Sequence, residues 1–209
     1  MNENSRNHTD VFTNIYNKDI WTNGSGTGST PSYCKKYMEN IETYIKENNI
    51  ENVLDLGCGD WQFSQLMDWE NVDYVGLDVV KSVIKENKKY FLRKFKFNCV
   101  DVSDFNKVKK YIGKENQLIL MKDVLMHWTN EEIIEWMDKL FQLLTTEHFI
   151  IANNWKYYRK PEKNDKPRIL DKRYSWAPID SQKYPLSKYD FEIIFHYRFK
   201  QVSLLKGEI

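Results

Sequence analysis

Cysteine, proline and glycine are all scarce in this chain, and so is any surplus of charge. The 209 residues include 3 Cys, 5 Pro and 8 Gly. Cys34, Cys58 and Cys99 are an odd number at unrelated spacings, which excludes a disulfide framework and a C-x-x-C metal knuckle. They are expected to be reduced thiols in a cytoplasmic setting. Lys and Arg (31) nearly cancel Asp and Glu (30), leaving +1. A dedicated polybasic nucleic-acid binder is thereby excluded, because counterion release needs a strong cationic excess. No run of 18 apolar residues is present, so no membrane span is expected. The polar opening MNENSRNHTD lacks the apolar stretch of a signal peptide. His8, His127, His148 and His196 form no pair at metal-site spacing, so metal-independent chemistry is expected.

What the chain does have is enough apolar content (41%) for a packed core, and a high share of aromatics (15%) that suits a ring-stacking pocket. Residues 1–20 read as a polar lead-in with a short apolar turn at Val11, Phe12 and Ile15. The glycine-rich stretch from Trp21 to Thr30 reads as a loop, either a linker or a flap. Thr30-Pro31 then predicts an N-cap and first turn, with Tyr37, Ile41, Tyr44 and Ile45 at helical spacing behind it. From residue 53 strands and helices alternate. Strands are predicted at 53–56, 73–78, 95–100, 118–121 and 148–152, and helices at 61–68 and 80–90. Phe63, Leu66 and Met67 face inward in the first of these. Thr129 with Glu132 predicts a capping box opening a helix with Ile133, Met137, Leu140, Phe141 and Leu144 on one face. Residues 189–196 and 200–205, joined tightly at Arg198, predict an antiparallel pair that finishes the sheet. The expected fold is α/β, a doubly wound, mostly parallel seven-stranded sheet with an antiparallel C-terminal strand.

In such sheets ligands bind beyond the carboxyl ends of the strands. After the first strand comes Asp55-Leu56-Gly57-Cys58-Gly59-Asp60-Trp61. A dinucleotide fingerprint needs a third glycine where Gln62 stands. A pyrophosphate brought here would also meet Asp55 and Asp60, at about 1 kcal/mol per like-charge contact in water and several times that under protein cover. S-adenosylmethionine carries no phosphate, but an ammonium and a sulfonium, so the signs favour it. Asp78 with Val79 ends the second strand, where a carboxylate can accept from both ribose hydroxyls. Asp101 and Val102 end the third, in place for an adenine amino group and its ring. The fourth ends in Lys122-Asp123, followed by His127. That imidazole is a candidate general base for a hydroxyl acceptor, with Asp123 either orienting it or lining the cofactor's methionine moiety. The alternative for His127 is a packed or capping residue, and His8, His148 and His196 read as structural. Trp155, Tyr157 and Tyr158 either wall an acceptor pocket or pack at the rim. Residues 156–173 carry eight basic groups against three acids, a solvated loop or a rim for an anionic substrate.

Segment 53–60, with Asp78 and Asp101, resembles the class I S-adenosylmethionine-dependent methyltransferases over residues 33–155. Trp61 departs from the resemblance, since a glycine usually stands there; its ring is expected to cover part of the cofactor. A narrower resemblance joins Trp21, Ser25-Gly26-Thr27-Gly28-Ser29, Cys58-Gly59-Asp60 and Lys122–His127 to a methyltransferase subgroup of glycan or small-molecule pathways. It implies that Ser25 and Gly26 form a cofactor-facing flap. The resemblance implies one methyltransferase domain over 1–209, with 1–30 as lead-in and flap and 156–188 as an acceptor-side lid. The expected activity is methylation of a polar small molecule, a sugar or glycan component, with no membrane partner and nucleic acid disfavoured. The alternatives are methylation of RNA or protein, a nicotinamide-dependent oxidoreductase, and a module that binds the cofactor without turnover.

Overall fold

Short apolar runs separated by amphipathic stretches fold here as one sheet between two helical layers. The computed structural model describes residues 7–91, 94–156 and 176–207. The strands are β1 (Asn52–Leu56), β2 (Asp73–Asp78), β3 (Lys96–Cys99), β4 (Gln117–Lys122), β5 (His148–Asn154), β6 (Glu192–Tyr197) and β7 (Lys200–Lys206), in the order β3-β2-β1-β4-β5-β7-β6. β1 to β5 are parallel, and β7 runs antiparallel to both its neighbours, β5 and β6. This is the doubly wound sheet expected, with the reversed strand inserted one place in from the edge. The tight link before β7 rests on Arg198, whose φ is +49°.

The helices are α1 (His8–Asn17), α2 (Pro31–Glu47), α3 (Lys81–Phe91), α4 (Phe105–Val108) and α5 (Asn130–Phe141). One face of the sheet buries Tyr37, Ile41 and Ile45 of α2 with Ile84 of α3; the other buries Ile133, Trp136, Met137 and Leu140 of α5. The capping box is formed, Thr129 Oγ1 accepting from Glu132 N (3.2 Å) and Glu132 Oε2 accepting from Thr129 N (2.7 Å). Thr30 precedes α2 with Pro31 at its first position, but its hydroxyl donates to Thr27 O instead of capping.

Four expectations need correction. The lead-in is a ten-residue helix, α1, capped by the Asn7 side chain. Residues 61–68 form only a 3-10 turn at Ser64–Leu66, and Leu66 is 62% exposed. Trp61 stands at φ +60°, a left-handed conformation from which an α-helix cannot propagate. Phe141 is exposed at the end of α5, against Tyr189. Of the supposed lid, residues 157–175 lie outside the described residues, while 176–188 are part of the body: Ala177 N donates to Met126 O, and Ile179 and Leu186 sit in the core beside α5.

Candidate active site

The order of strands reverses between β1 and β4, and a cleft of about 110 Å³ opens beyond the carboxyl ends of these parallel strands. The loop after β1 is pinned from below, Gly57 N and Cys58 N both donating to Leu77 O (2.8 and 3.0 Å). Gly57 (φ +79°) and Gly59 (φ +56°) have backbones that favour glycine, and each is also closed in sterically. A Cβ on Gly57 would strike Val124 Cγ2, and one on Gly59 would strike Ser25 Oγ.

The floor is acidic. Among the described residues Asp55, Asp60, Asp78, Asp101 and Asp123 line the cleft together with Lys122, and Lys200 stands behind Asp123. Asp78 Oδ2 accepts from Gly59 N (3.0 Å) and Oδ1 from Val80 N (2.9 Å), which fixes its plane at the end of β2. Asp55 accepts from Tyr74 Oη (2.6 Å). Burial pushes both carboxyls up to about 6; the hydrogen bonds from Tyr74 to Asp55 and from Val80 and Gly59 to Asp78 pull the other way. Asp101 Oδ1 accepts from Ser103 N and Oγ, and Val79 and Val102 add apolar surface beside it.

The roof comes from the N-terminal segment. His8, Phe12 and Tyr16 of α1, four residues apart and so on one helical face, all line the cleft, as does Trp21 beyond them. The loop behind Trp21 is latched down: Ser25 N and Oγ donate to Asp60 (3.1 and 2.6 Å), and Tyr16 Oη meets Ser25 Oγ at 2.6 Å. Gln62 Nε2 adds a bond to Asn23 O and one to Asp60 Oδ2. Ser25 thus lines the cleft as a flap would. Gly26 does not; its φ of +85° lets the chain fold back over Trp21. The four-residue spacing of His8, Phe12 and Tyr16 is the one trace of this helical face in the sequence.

At the end of β4, Lys122 Nζ donates to Gly28 O (2.9 Å) and to Asp123 Oδ2 (2.7 Å), while Lys200 Nζ of β7 pairs with Asp123 Oδ1. Burial alone would raise the Asp123 carboxyl, but the two ammonium groups prevail and hold it at about 2. Burial lowers Lys200 and Asp123 offsets this only in part. Asp123 is therefore a fixed anion between two cations. Lys200 lies too far along the chain from Asp123 for any local pattern to have joined them.

Of the two readings of His127, a base or a packed residue, its surroundings are those of a packed ring. The 3-10 turn Leu125–His127 aims its ring inward, where it stacks on Trp21 (5.5 Å, 28°) and meets Phe12 edge-on (5.4 Å). It supports the two rings that line the cleft and is not itself a lining residue. Trp61 lines the cleft at the loop after β1, but its ring, 2% exposed, packs among Tyr74, Phe91, Phe95 and Phe97. Trp155 packs against His196 and Lys156; Tyr157, Tyr158 and the rest of the basic segment lie outside the described residues. Among the described residues no cluster of three or more His, Cys, Asp or Glu could hold a metal ion, and no helix is long and apolar enough to cross a membrane.

No family model and no curated protein matches this sequence. Solved structures do. The chain is similar to magnesium protoporphyrin IX methyltransferase (ChlM) of Synechocystis PCC 6803 with bound SAH, at TM-score 0.61 and 13% identity over 95% of this chain and 99% of that one. It is similar to the N-methyltransferase NodS of Bradyrhizobium japonicum WM9 in complex with S-adenosyl-L-homocysteine, at 0.62 and 10% identity over the same shares. The methyltransferase domain of bacterial CtHen1-C matches at 0.60 and 18% identity, covering 83% and 97%. The fold is that of the class I methyltransferases.

Proposed function

We propose that the chain is an S-adenosylmethionine-dependent methyltransferase acting on a small polar acceptor. The observation that carries this reading is the sign of the cleft among the described residues: five carboxylates on the floor, of which only Asp123 is ion-paired, to Lys122 and Lys200, beneath a roof of aromatic rings. A diphosphate cofactor would be repelled along its whole length, whereas a cationic, phosphate-free nucleoside is drawn in. The residues fit the donor part by part. Asp78 offers its carboxylate to the ribose hydroxyls, and Asp101 with Val79 and Val102 receives the adenine. Gly57, Cys58 and Gly59 let the backbone approach the ribose and methionine chain, and Asp55 and Lys122 answer the ammonium and carboxylate of the methionine end. Asp123 keeps Lys122 in place. Trp21 and Ser25 cover the site, with Asp60 as the latch. Gly26 supports the flap, and Trp61 lines the cleft where the loop after β1 meets Gln62.

When bound, the donor supplies an activated methyl group; the chain's own work is alignment and exclusion of water. The resemblance that pointed to a sugar or glycan acceptor remains the sole support for that finer reading. Of the structural neighbours named above, ChlM alone has an acceptor in its name, magnesium protoporphyrin IX, and a shared fold at 13% identity does not carry it over.

Titration calorimetry tests the proposal. S-adenosylmethionine and S-adenosylhomocysteine are expected to bind with micromolar Kd, and NAD and NADP not at all. Binding of a nicotinamide dinucleotide in preference to both would overturn it.

A further inference from the structure

The reading above leaves one buried side chain of the roof unused. His8, the first residue of α1, is 5% exposed and lines the same cleft as the acidic floor. Its Nε2 lies 3.2 Å from Glu132 Oε1, across 124 residues of sequence. The other oxygen of Glu132 accepts from Thr129 N in the capping box. The carboxylate is thus anchored by a helix end, and it in turn anchors the imidazole. Phe12 stacks beside the ring at 6.2 Å and 16°, and Trp128 stands at 6.2 Å on another side, so the ring has little freedom to turn.

An ionised carboxylate only accepts hydrogen bonds. With His8 neutral, the proton must therefore be on Nε2, and the lone pair on Nδ1. An imidazole whose tautomer is set by a carboxylate, at the wall of a cleft roofed by aromatic rings, is an arrangement suited to general-base chemistry. We propose that His8, oriented by Glu132, is the general base that deprotonates the acceptor, and that the acceptor's reactive group is a hydroxyl.

This rests on the methyl-transfer reading and completes it. The acceptor oxygen forms its bond to the methyl carbon as the bond from that carbon to sulfur breaks, the electron pair remaining on sulfur. The hydroxyl proton passes to Nδ1 of His8. The imidazolium so formed is held against Glu132 until it releases the proton to water. The sulfur ends neutral, and the products are a methyl ether, S-adenosylhomocysteine and one proton. Glu132 is a positioning residue, since it acts through His8. The other charged groups that share the cleft are Asp55, Asp60, Asp78, Asp101, Asp123 and Lys122.

Two measurements test this. Long-range proton–nitrogen NMR on the protein saturated with S-adenosylhomocysteine should find His8 as the Nε2–H tautomer. Glu132→Gln should mix the tautomers while keeping the capping box, which glutamine also forms. Methyl transfer from labelled S-adenosylmethionine is then followed with catechol and methyl glucoside as hydroxyl probes and histamine as an amine probe. His8→Asn and His8→Gln should lower kcat at least 100-fold and remove the acid limb of its pH profile. Their Kd for S-adenosylhomocysteine should stay within twofold. The assignment is overturned if either His8 variant keeps its kcat and pH profile, if Glu132→Gln leaves the tautomer unchanged, or if only the amine is methylated. Failure of the wild-type protein to bind S-adenosylhomocysteine at all would instead defeat the methyl-transfer reading.

Discussion

At the scale of single residues, the floor of the cleft is costly to keep charged, and that cost is measurable. Asp55 and Asp78 have folded pKa values of about 6 against about 3.9 unfolded. Each folded-state value is raised, so the folded protein holds more protons between about pH 4 and 6. The stability these groups contribute is present below pH 4 and lost as pH rises through 6, by about 2–3 kcal/mol for each. A cationic ligand favours the ionised forms. Calorimetry should therefore find S-adenosylmethionine bound more weakly at pH 5 than at pH 7.5, and Asp78→Ala should weaken it at least tenfold at pH 7.5. Asp123 has the opposite sign. Held at about 2, it stabilises the fold above about pH 4 and loses that contribution as pH falls through 2. Trp61 sets two terms against each other: its left-handed backbone costs about 1–3 kcal/mol, whereas its ring buried among four aromatics is worth about 3–5 kcal/mol. The ring wins, so Trp61→Gly should lower the stability read from urea denaturation even though glycine relaxes the turn.

At the scale of elements, legibility followed the reach of the pattern. Asp55, Asp78 and Asp101 end neighbouring parallel strands, and a strand's end can be read from the apolar run before it. The Thr129–Glu132 box is likewise a three-residue signal. The roof was not legible in the same way. α1 is polar overall, and although Tyr16 meets Ser25 and Trp21 close by, His8 meets Glu132 and Trp128, and Phe12 meets His127, only after the chain has returned past residue 120. His127 drew attention because it follows β4, but a 3-10 turn redirected it, and turns of that length leave little trace in sequence. Lys200 lay hidden for a different reason. β7 enters the sheet between β5 and β6, which brings its first residue beside the end of β4. Lys200→Met tests what that insertion contributes. It leaves the half-buried Asp123 with one ammonium partner instead of two, and should cost about 1–3 kcal/mol in urea denaturation. Substituting the exposed Lys206 at the far end of β7 should change stability by less than about 0.5 kcal/mol.

At the scale of the whole molecule, the cleft joins parts of the chain that are far apart in sequence: α1 and the latched loop above, the ends of β1, β2 and β4 below, and β7 behind. A ligand seated there binds the folded chain and not the unfolded one, so it must raise the stability of the entire domain. At a free concentration 100 times Kd the gain is about 2.7 kcal/mol, and for a domain of this length each kcal/mol moves Tm by about 2–4 °C. S-adenosylhomocysteine at that excess should therefore raise Tm by about 5–11 °C. The shift should persist in Lys200→Met, which leaves Lys122 and Asp78 in place, and should shrink in Asp78→Ala. NADP, with its diphosphate and additional phosphate, should leave Tm unchanged at the same concentration. An equal shift from NADP would mean that the acidic floor does not select its ligand by charge, because Asp55, Asp60, Asp78 and Asp101, the lining carboxylates without a lysine partner among the described residues, could not then be the dominant field in the cleft.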